Sequence, residues 1–228
     1  MPGLTDAIVS EVRKYIFDHI AENTTPPVVE QIMRKFGLDR ASAYEALLKL
    51  QDAHHVALVR GTQRILMAFP FSGVVTPFRV SAGGKTYYAN CAWDSIAMHL
   101  TLDKEEEVNS YCHHCAEEIR IHIRSRQVVS SSPRDAIVYL ALPASKWWED
   151  IVNTCSNNMV FFSSQKHLDE WKSRVGISGG EALTPEQTIK LSLPIYSTKM
   201  NLDYSRPSKD KLQAHFESLG LTGDFWKL

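Results

Sequence analysis

Residues 88–100 read YANCAWDSIAMHL. Cys91 and Asp94 stand one helical turn apart, with Trp93 between them. The stretch predicts a helix from about 91 to 100, so its first turn carries either a buried core thiol with a dipole-favoured carboxylate or a nucleophile beside its proton donor. Just upstream, FRVSAGGKTYYANC predicts a hairpin turning at Gly83-Gly84. Downstream, EEVNSYCHHCAEEIRIHI passes from a polar turn into an alternating strand with Ile119, Ile121 and Ile123 on one face.

Further along, DAIVYLAL and MVFFSS read as strands, and SKWWEDIVNTC and SQKHLDEWKSR as helices, the latter capped by Ser163 or Ser164. After GISGGEALTPEQTIKLSLPIYS the chain is expected to end in one short helix and an aromatic tail. Trp147-Trp148 is expected to pack in the core, and Phe225 and Trp226 to cap a groove or a partner subunit. This part of the chain, residues 70–228, is α+β in character.

Toward the N-terminus, Leu4, Ile8, Val12, Tyr15, Ile16 and Ile20 fall at helical spacing. NTTPP at 23–27 breaks that helix, and a threonine there can cap the next. Asp39 can cap a third helix, and HHVALVRGTQRILMAF reads as two strands about a Gly61 turn. Three helices and a hairpin make a winged-helix-like domain over residues 1–69. FPFSGVVTPF, 69–78, reads as the linker leaving it.

A winged helix invites a nucleic-acid reading, and charge argues against it. Residues 1–70 hold eight Lys/Arg against eight Asp/Glu, and helix 39–52 carries Arg40 and Lys49 against Asp39, Glu45 and Asp52. Phosphate binding needs clustered cations. DNA is therefore not an expected partner; a packing or dimerisation role is preferred, and either a monomer or a homodimer fits.

The whole chain of 228 residues is 44% hydrophobic and 22% charged with a formal net charge of −1, an ordinary globular composition. No apolar run approaches the ~20 residues that span a bilayer. The start, MPGLTDAIVSEVRKYIF, carries acids and lacks the basic, apolar layout of a secretory signal, so a cytoplasmic location is expected. There the four cysteines, Cys91, Cys112, Cys115 and Cys155, are expected to be reduced. Cys112-His113-His114-Cys115 is half of a structural zinc site, which would need Cys91, Cys155, His99 or His122 to complete it. A reduced structural pair is the preferred reading, with the zinc site and a thiol relay for bound metal as the alternatives.

Three motifs taken in order resemble the organomercurial (alkylmercury) lyases: YYANCAWDSIAMHL, YCHHCAEEIRIHI and DIVNTCSNNMVFFSSQKHLDEW. The resemblance covers roughly residues 75–172. It implies a winged-helix-like domain followed by an α+β lyase core, and protonolytic cleavage of carbon–mercury bonds to a hydrocarbon and Hg(II). It implies that Cys91 binds mercury, Asp94 delivers the proton and a second cysteine completes the grip. A soft thiolate suits a soft metal. A helix N-terminus would favour the Cys91 thiolate, and burial near Trp93 would raise the Asp94 pKa.

The second cysteine departs from the family pattern. A gapless match on Phe161-Phe162 puts Ser156 at that position, with Cys155 one residue earlier, about 100° away around a helix. The family's histidines before Phe-Phe are replaced by NNMV. The outcomes open at this point are use of Cys155, use of an external thiol such as glutathione, or loss of the activity. No cofactor is required; external thiols such as glutathione are expected to take part, and a structural zinc is one reading of the Cys112–Cys115 turn. The expected partners are a small organometallic substrate and thiol acceptors or a mercury-reducing enzyme. Two other readings stay alongside: a soft-metal binding or sensing protein on the lyase fold, and a different enzyme using Cys91 as a nucleophile on carbon.

Overall fold

The computed structural model describes residues 4–228; Met1–Gly3 of the N-terminal segment lie outside the described residues. Helix α1 (Asp6–Asn23) is capped by Thr5, and α3 (Arg40–Asp52) by Asp39, whose Oδ1 accepts the Ser42 N–H at 2.8 Å. Between them, α2 (Val29–Phe36) is not capped by a threonine of NTTPP as expected. Thr24 ends α1 in the left-handed conformation, and the Gln31 side chain instead accepts the Val28 N–H at 2.8 Å. Strands β1 (Val56–Leu58) and β2 (Ile65–Ala68) follow, turning at Gly61 with φ +72°.

The expected linker at 69–78 is a correction. Phe71–Ser72 forms β3, which pairs with β2 in a three-stranded sheet, and Phe69, Phe71 and Phe78 are all buried. Three phenylalanines in ten residues carry too much apolar surface to stay in water as a spacer.

The next sheet has five antiparallel strands in the order β5-β4-β6-β7-β8: β4 (Arg79–Ala82), β5 (Lys85–Tyr88), β6 (Glu106–Tyr111), β7 (Glu118–Arg124) and β8 (Gln127–Ser132). Gly83 and Gly84, both at positive φ, turn β4 into β5 as expected. Ile119, Ile121 and Ile123 are fully buried on one face of β7. EEVNSY, read as a polar turn, is β6, because Val108 and the buried Glu106 and Ser110 point to that same interior. A third sheet, β10-β9-β11, is built from β9 (Ile137–Leu140), β10 (Met159–Phe162) and β11 (Glu181–Leu183).

Helix α4 (Ala92–Leu102) runs through the middle, packed against β4, β6, β7 and β10. Every residue from Ala92 to Thr101 is buried, as expected of a helix enclosed on all sides. Its cover is α7 (Pro185–Tyr196), within a stretch to which no element was assigned from sequence. Thr184 and Gln187 make a capping box and Pro185 occupies the first turn, all consistent with a helix start.

The expected helix over 145–155 is broken. A short 3-10 turn at Ala144–Lys146 precedes α5 (Ile151–Asn158), which Asp150 caps. The break lets both tryptophans turn inward: the Trp147 indole donates to Leu142 O at 2.8 Å, and Trp148 stacks on His54. Helix α6 (Gln165–Val175) is capped by Ser164, and α8 (Lys209–Ser218) presents Lys209, Asp210 and Lys211 to solvent. In the tail, Trp226 buries itself against Trp147 and Phe216 of its own chain.

The first three helices are tied to the rest of the molecule. Arg13 of α1 donates to the carbonyls of Lys199, Asn201 and Leu202, and the Tyr87 hydroxyl donates to Ala21 O at 2.8 Å. Phe69 and Trp148 meet edge to face. Among the described residues no helix is long and apolar enough to cross a membrane.

Candidate active site

Cys91 is the N-cap of α4, in extended conformation, and its Sγ accepts the Asp94 N–H at 3.3 Å. The thiol thus occupies a place where Ser, Thr, Asp or Asn is usual. Asp94 follows in the first turn of the helix. Its Oδ1 accepts from the Tyr196 hydroxyl at 2.5 Å, and its Oδ2 from Asn90 Nδ2 at 2.9 Å. The Asn90 amide also donates to Pro70 O at 3.1 Å, which orients it.

The second thiol comes from α5. Thr154 and Cys155 form its buried face, while Ser156 is exposed. The gapless match that put Ser156 at the second cysteine position does not describe this geometry. The helix rotates Ser156 to solvent and aims Cys155 inward. Cys91 Sγ, Cys155 Sγ and an Asp94 oxygen lie within 4.8 Å of one another, with the three residues 1%, 3% and 2% exposed. Met159, the first residue of β10, adds its Sδ at 3.9 Å from Cys91 Sγ.

These groups face one narrow cavity, also lined by Phe69, Trp93, Trp148, Lys199 and Arg206, with about 40 Å³ of room for water-sized molecules. That holds a few waters or one small linear molecule. Arg206 lies over the Trp148 ring at 4.2 Å. Lys199 is 1% exposed, with its ammonium 5.3–5.6 Å from the ring centres of Tyr196, Tyr204 and Phe17.

Burial sets the protonation states. It pushes the Cys91 thiol well above its ordinary range, and the contact with Cys155 and the Asp94 charge push it further. The thiolate stabilisation expected from the helix N-terminus is therefore overridden: one N–H does not offset desolvation in a closed cavity. For Cys155 the hydrogen bond with Cys91 pulls downward, but burial and the Asp94 charge together leave it raised. Asp94 is raised by burial, as expected, and drawn partly back by the Tyr196 and Asn90 hydrogen bonds and by Lys199. Burial, helped by Arg206, brings Lys199 down to about 7 against the pull of Asp94. The resting site thus stores two thiol protons beside a carboxyl group that can carry one.

Residues 71–197, more than half of the chain, match the family model MerB, alkylmercury lyase. The chain belongs to the alkylmercury lyase family. Curated alkylmercury lyases from Bacillus cereus and Clostridium butyricum are each 28% identical over 118 residues, 52% of this chain and 52% of theirs. That from Staphylococcus epidermidis is 30% identical over 98 residues, 43% of this chain and 44% of its own. The chain thus spans about half the length of the curated lyases it matches. The crystal structure of the mercury-bound form of MerB2 superposes with a TM-score of 0.66 at 18% identity, covering 86% of this chain and 91% of that one. The α+β fold of the lyases therefore extends over most of the molecule.

Sequence reasoning missed Asn90, Tyr196, Lys199 and Arg206 within this lyase fold. A signal for α7 existed in the Thr184-Pro185 start, but none for which of its residues meets Asp94. Cys112 and Cys115 lie outside the cavity. Neither the thiols nor the histidines named as completing a zinc site join them: His99 pairs with Glu106 and His122 with Glu105, while the residue beside both sulfurs is His167.

Proposed function

We propose that this chain is an organomercurial lyase-like enzyme that cleaves carbon–mercury bonds by protonolysis. The observation that carries the proposal is the enclosed triad of Cys91, Asp94 and Cys155. A substrate R–Hg–SR′ exchanges its thiolate for the Cys91 sulfur, and the Cys91 proton leaves with R′SH. Cys155 adds to mercury and yields its proton to the Asp94 carboxylate. Two sulfurs on the metal weaken the C–Hg bond, and Asp94 hands that proton to carbon, releasing R–H. Two external thiols such as glutathione then take up their place on Hg(II) and return both cysteines to the thiol form. No resident cofactor takes part in these steps.

Tyr196 and Asn90 hold Asp94 toward the sulfurs, and Trp93 is fixed by its indole donating to Ser192 Oγ at 2.7 Å. We read residues 1–69 as a winged-helix-like domain and 70–228 as the lyase domain with a helical tail. The N-terminal domain serves to close the cavity: Phe69 lines it and His54 backs Trp148. On helix α3, Arg40 is engaged with Glu30 and Gln63 and Lys49 lies near Glu45, which supports a packing role for that helix over DNA binding. A cytoplasmic setting, with thiol acceptors or a mercury-reducing enzyme taking the product, fits the thiol chemistry.

The test is headspace detection of benzene or methane from phenylmercury or methylmercury in excess glutathione. Turnover by the native protein that disappears in Cys91→Ser supports the proposal. Equal release by both proteins overturns it.

A further inference from the structure

A second sulfur cluster stands at the other end of β10. Cys112 and Cys115 sit on the loop between β6 and β7, and His167 on the first turn of α6. Their two Sγ atoms and His167 Nδ1 lie within 4.8 Å of one another. Nδ1 is 3.7 Å from Cys112 Sγ and 3.5 Å from Cys115 Sγ. With Zn–S of about 2.3 Å and Zn–N of about 2.0–2.1 Å, a sulfur and a nitrogen on one tetrahedral zinc stand about 3.5–3.6 Å apart. The two separations are close to that edge.

Hydrogen bonding alone does not account for the cluster. The Ser163 hydroxyl also lies 2.5 Å from His167 Nδ1. One imidazole nitrogen offers a single N–H or a single lone pair, and here three groups converge on it. The loop is also shaped to present sulfur. Ala116 N–H closes the turn on Cys112 O at 2.9 Å, and His113 N–H docks the loop on Phe161 O at 2.8 Å.

We propose that Cys112, Cys115 and His167 form a structural Zn²⁺ site, with the fourth position taken by a water on the exposed side of Cys115. Two thiolates and an imidazole are a donor set that suits this borderline-soft, redox-inert ion, and loading releases the two thiol protons. The ion staples the β6–β7 loop to α6. It is separate from the Cys91 cavity: β10 spans three residue steps from Met159, against Cys91 Sγ, to Phe162, beside Ser163, or about 10 Å. Zinc occupancy is therefore independent of Cys91 and Cys155.

The experiment measures the metal content of the full chain after equilibration with Zn²⁺ and removal of free metal, with Co²⁺ as a spectroscopic probe of geometry. About one zinc per chain is expected in the native protein and in Cys91→Ser, and less than about a tenth in Cys115→Ser and His167→Ala. His167→Cys, which supplies a third thiolate, should regain the metal and so separates loss of a ligand from loss of the fold. Co²⁺ should give the intense d–d bands of a tetrahedral thiolate site. A hundredfold excess of Zn²⁺ over its Kd should raise the unfolding midpoint by roughly 5–10 °C. Undiminished zinc in Cys115→Ser, loss of zinc in Cys91→Ser, or no tight zinc in the native protein would overturn the proposal.

Discussion

The Tyr196 hydroxyl donates to Asp94 Oδ1 at 2.5 Å across a sequence separation of 102 residues. The bond favours the ionised carboxylate, against burial that favours the neutral acid. In the proposed mechanism Asp94 must start ionised to take the Cys155 proton, so its pKa would set the acid limb of activity. Removing the donor in Tyr196→Phe raises that pKa further. The acid limb of kcat/KM for phenylmercury should then move to higher pH by about one to two units, the worth of a hydrogen bond to a charged group. A pH profile checks this, and an unmoved limb would detach Asp94 from the proton transfer.

Cys155 and Ser156 test the rotational setting of α5. Cys155→Ser should abolish hydrocarbon release, whereas Ser156→Ala should change stability by no more than about 0.5 kcal/mol and leave turnover intact. The exchange Cys155→Ser with Ser156→Cys should not restore turnover, because the new thiol faces solvent. Recovery of activity in the double variant would mean that α5 turns in solution.

Asp94→Asn keeps both thiols and loses the acid. It should still take up phenylmercury stoichiometrically, read by loss of titratable thiols, while hydrocarbon release falls by about 10²–10⁴-fold. Loss of uptake together with release would give Asp94 a structural role only.

Lys199 is a buried cation whose pKa burial brings from 10.5 down to about 7. The unfolded chain binds that proton more readily than the folded one. This residue's contribution therefore destabilises the fold below pH ~7 and is relieved as pH rises from about 7 toward 10.5. Lys199→Met should flatten that upward trend, measured as denaturant midpoints of the two proteins at paired pH values. Because Lys199 also helps keep Asp94 ionised, the variant's acid limb should shift upward, in the same direction as Tyr196→Phe.

The legible parts of the site were the local ones. Cys91 and Asp94 are three residues apart at a helix start, so spacing alone puts them on one turn, and a hydrogen bond in the structure joins them. The Gly83-Gly84 hairpin and the isoleucine face of β7 were readable for the same reason, since each depends on neighbours in the chain. Cys155 was visible as a thiol but not as an inward-facing one. Its direction depends on the break after Trp147 and the Asp150 cap, which reset the phase of α5. His167 was invisible as a partner of Cys112 because 55 residues and two sheets intervene.

By itself, then, the chain's order of residues determined the family motifs, the first turn of α4 and the local hairpins, through backbone periodicity and turn chemistry acting over a few residues. The tertiary structure alone decided which thiol faces Cys91 and which hydroxyl holds Asp94. It also decided that the cavity excludes enough water to keep both sulfurs protonated. Those outcomes depend on desolvation and on distances between elements far apart in the chain, quantities that exist only once α4, α5 and α7 have packed together.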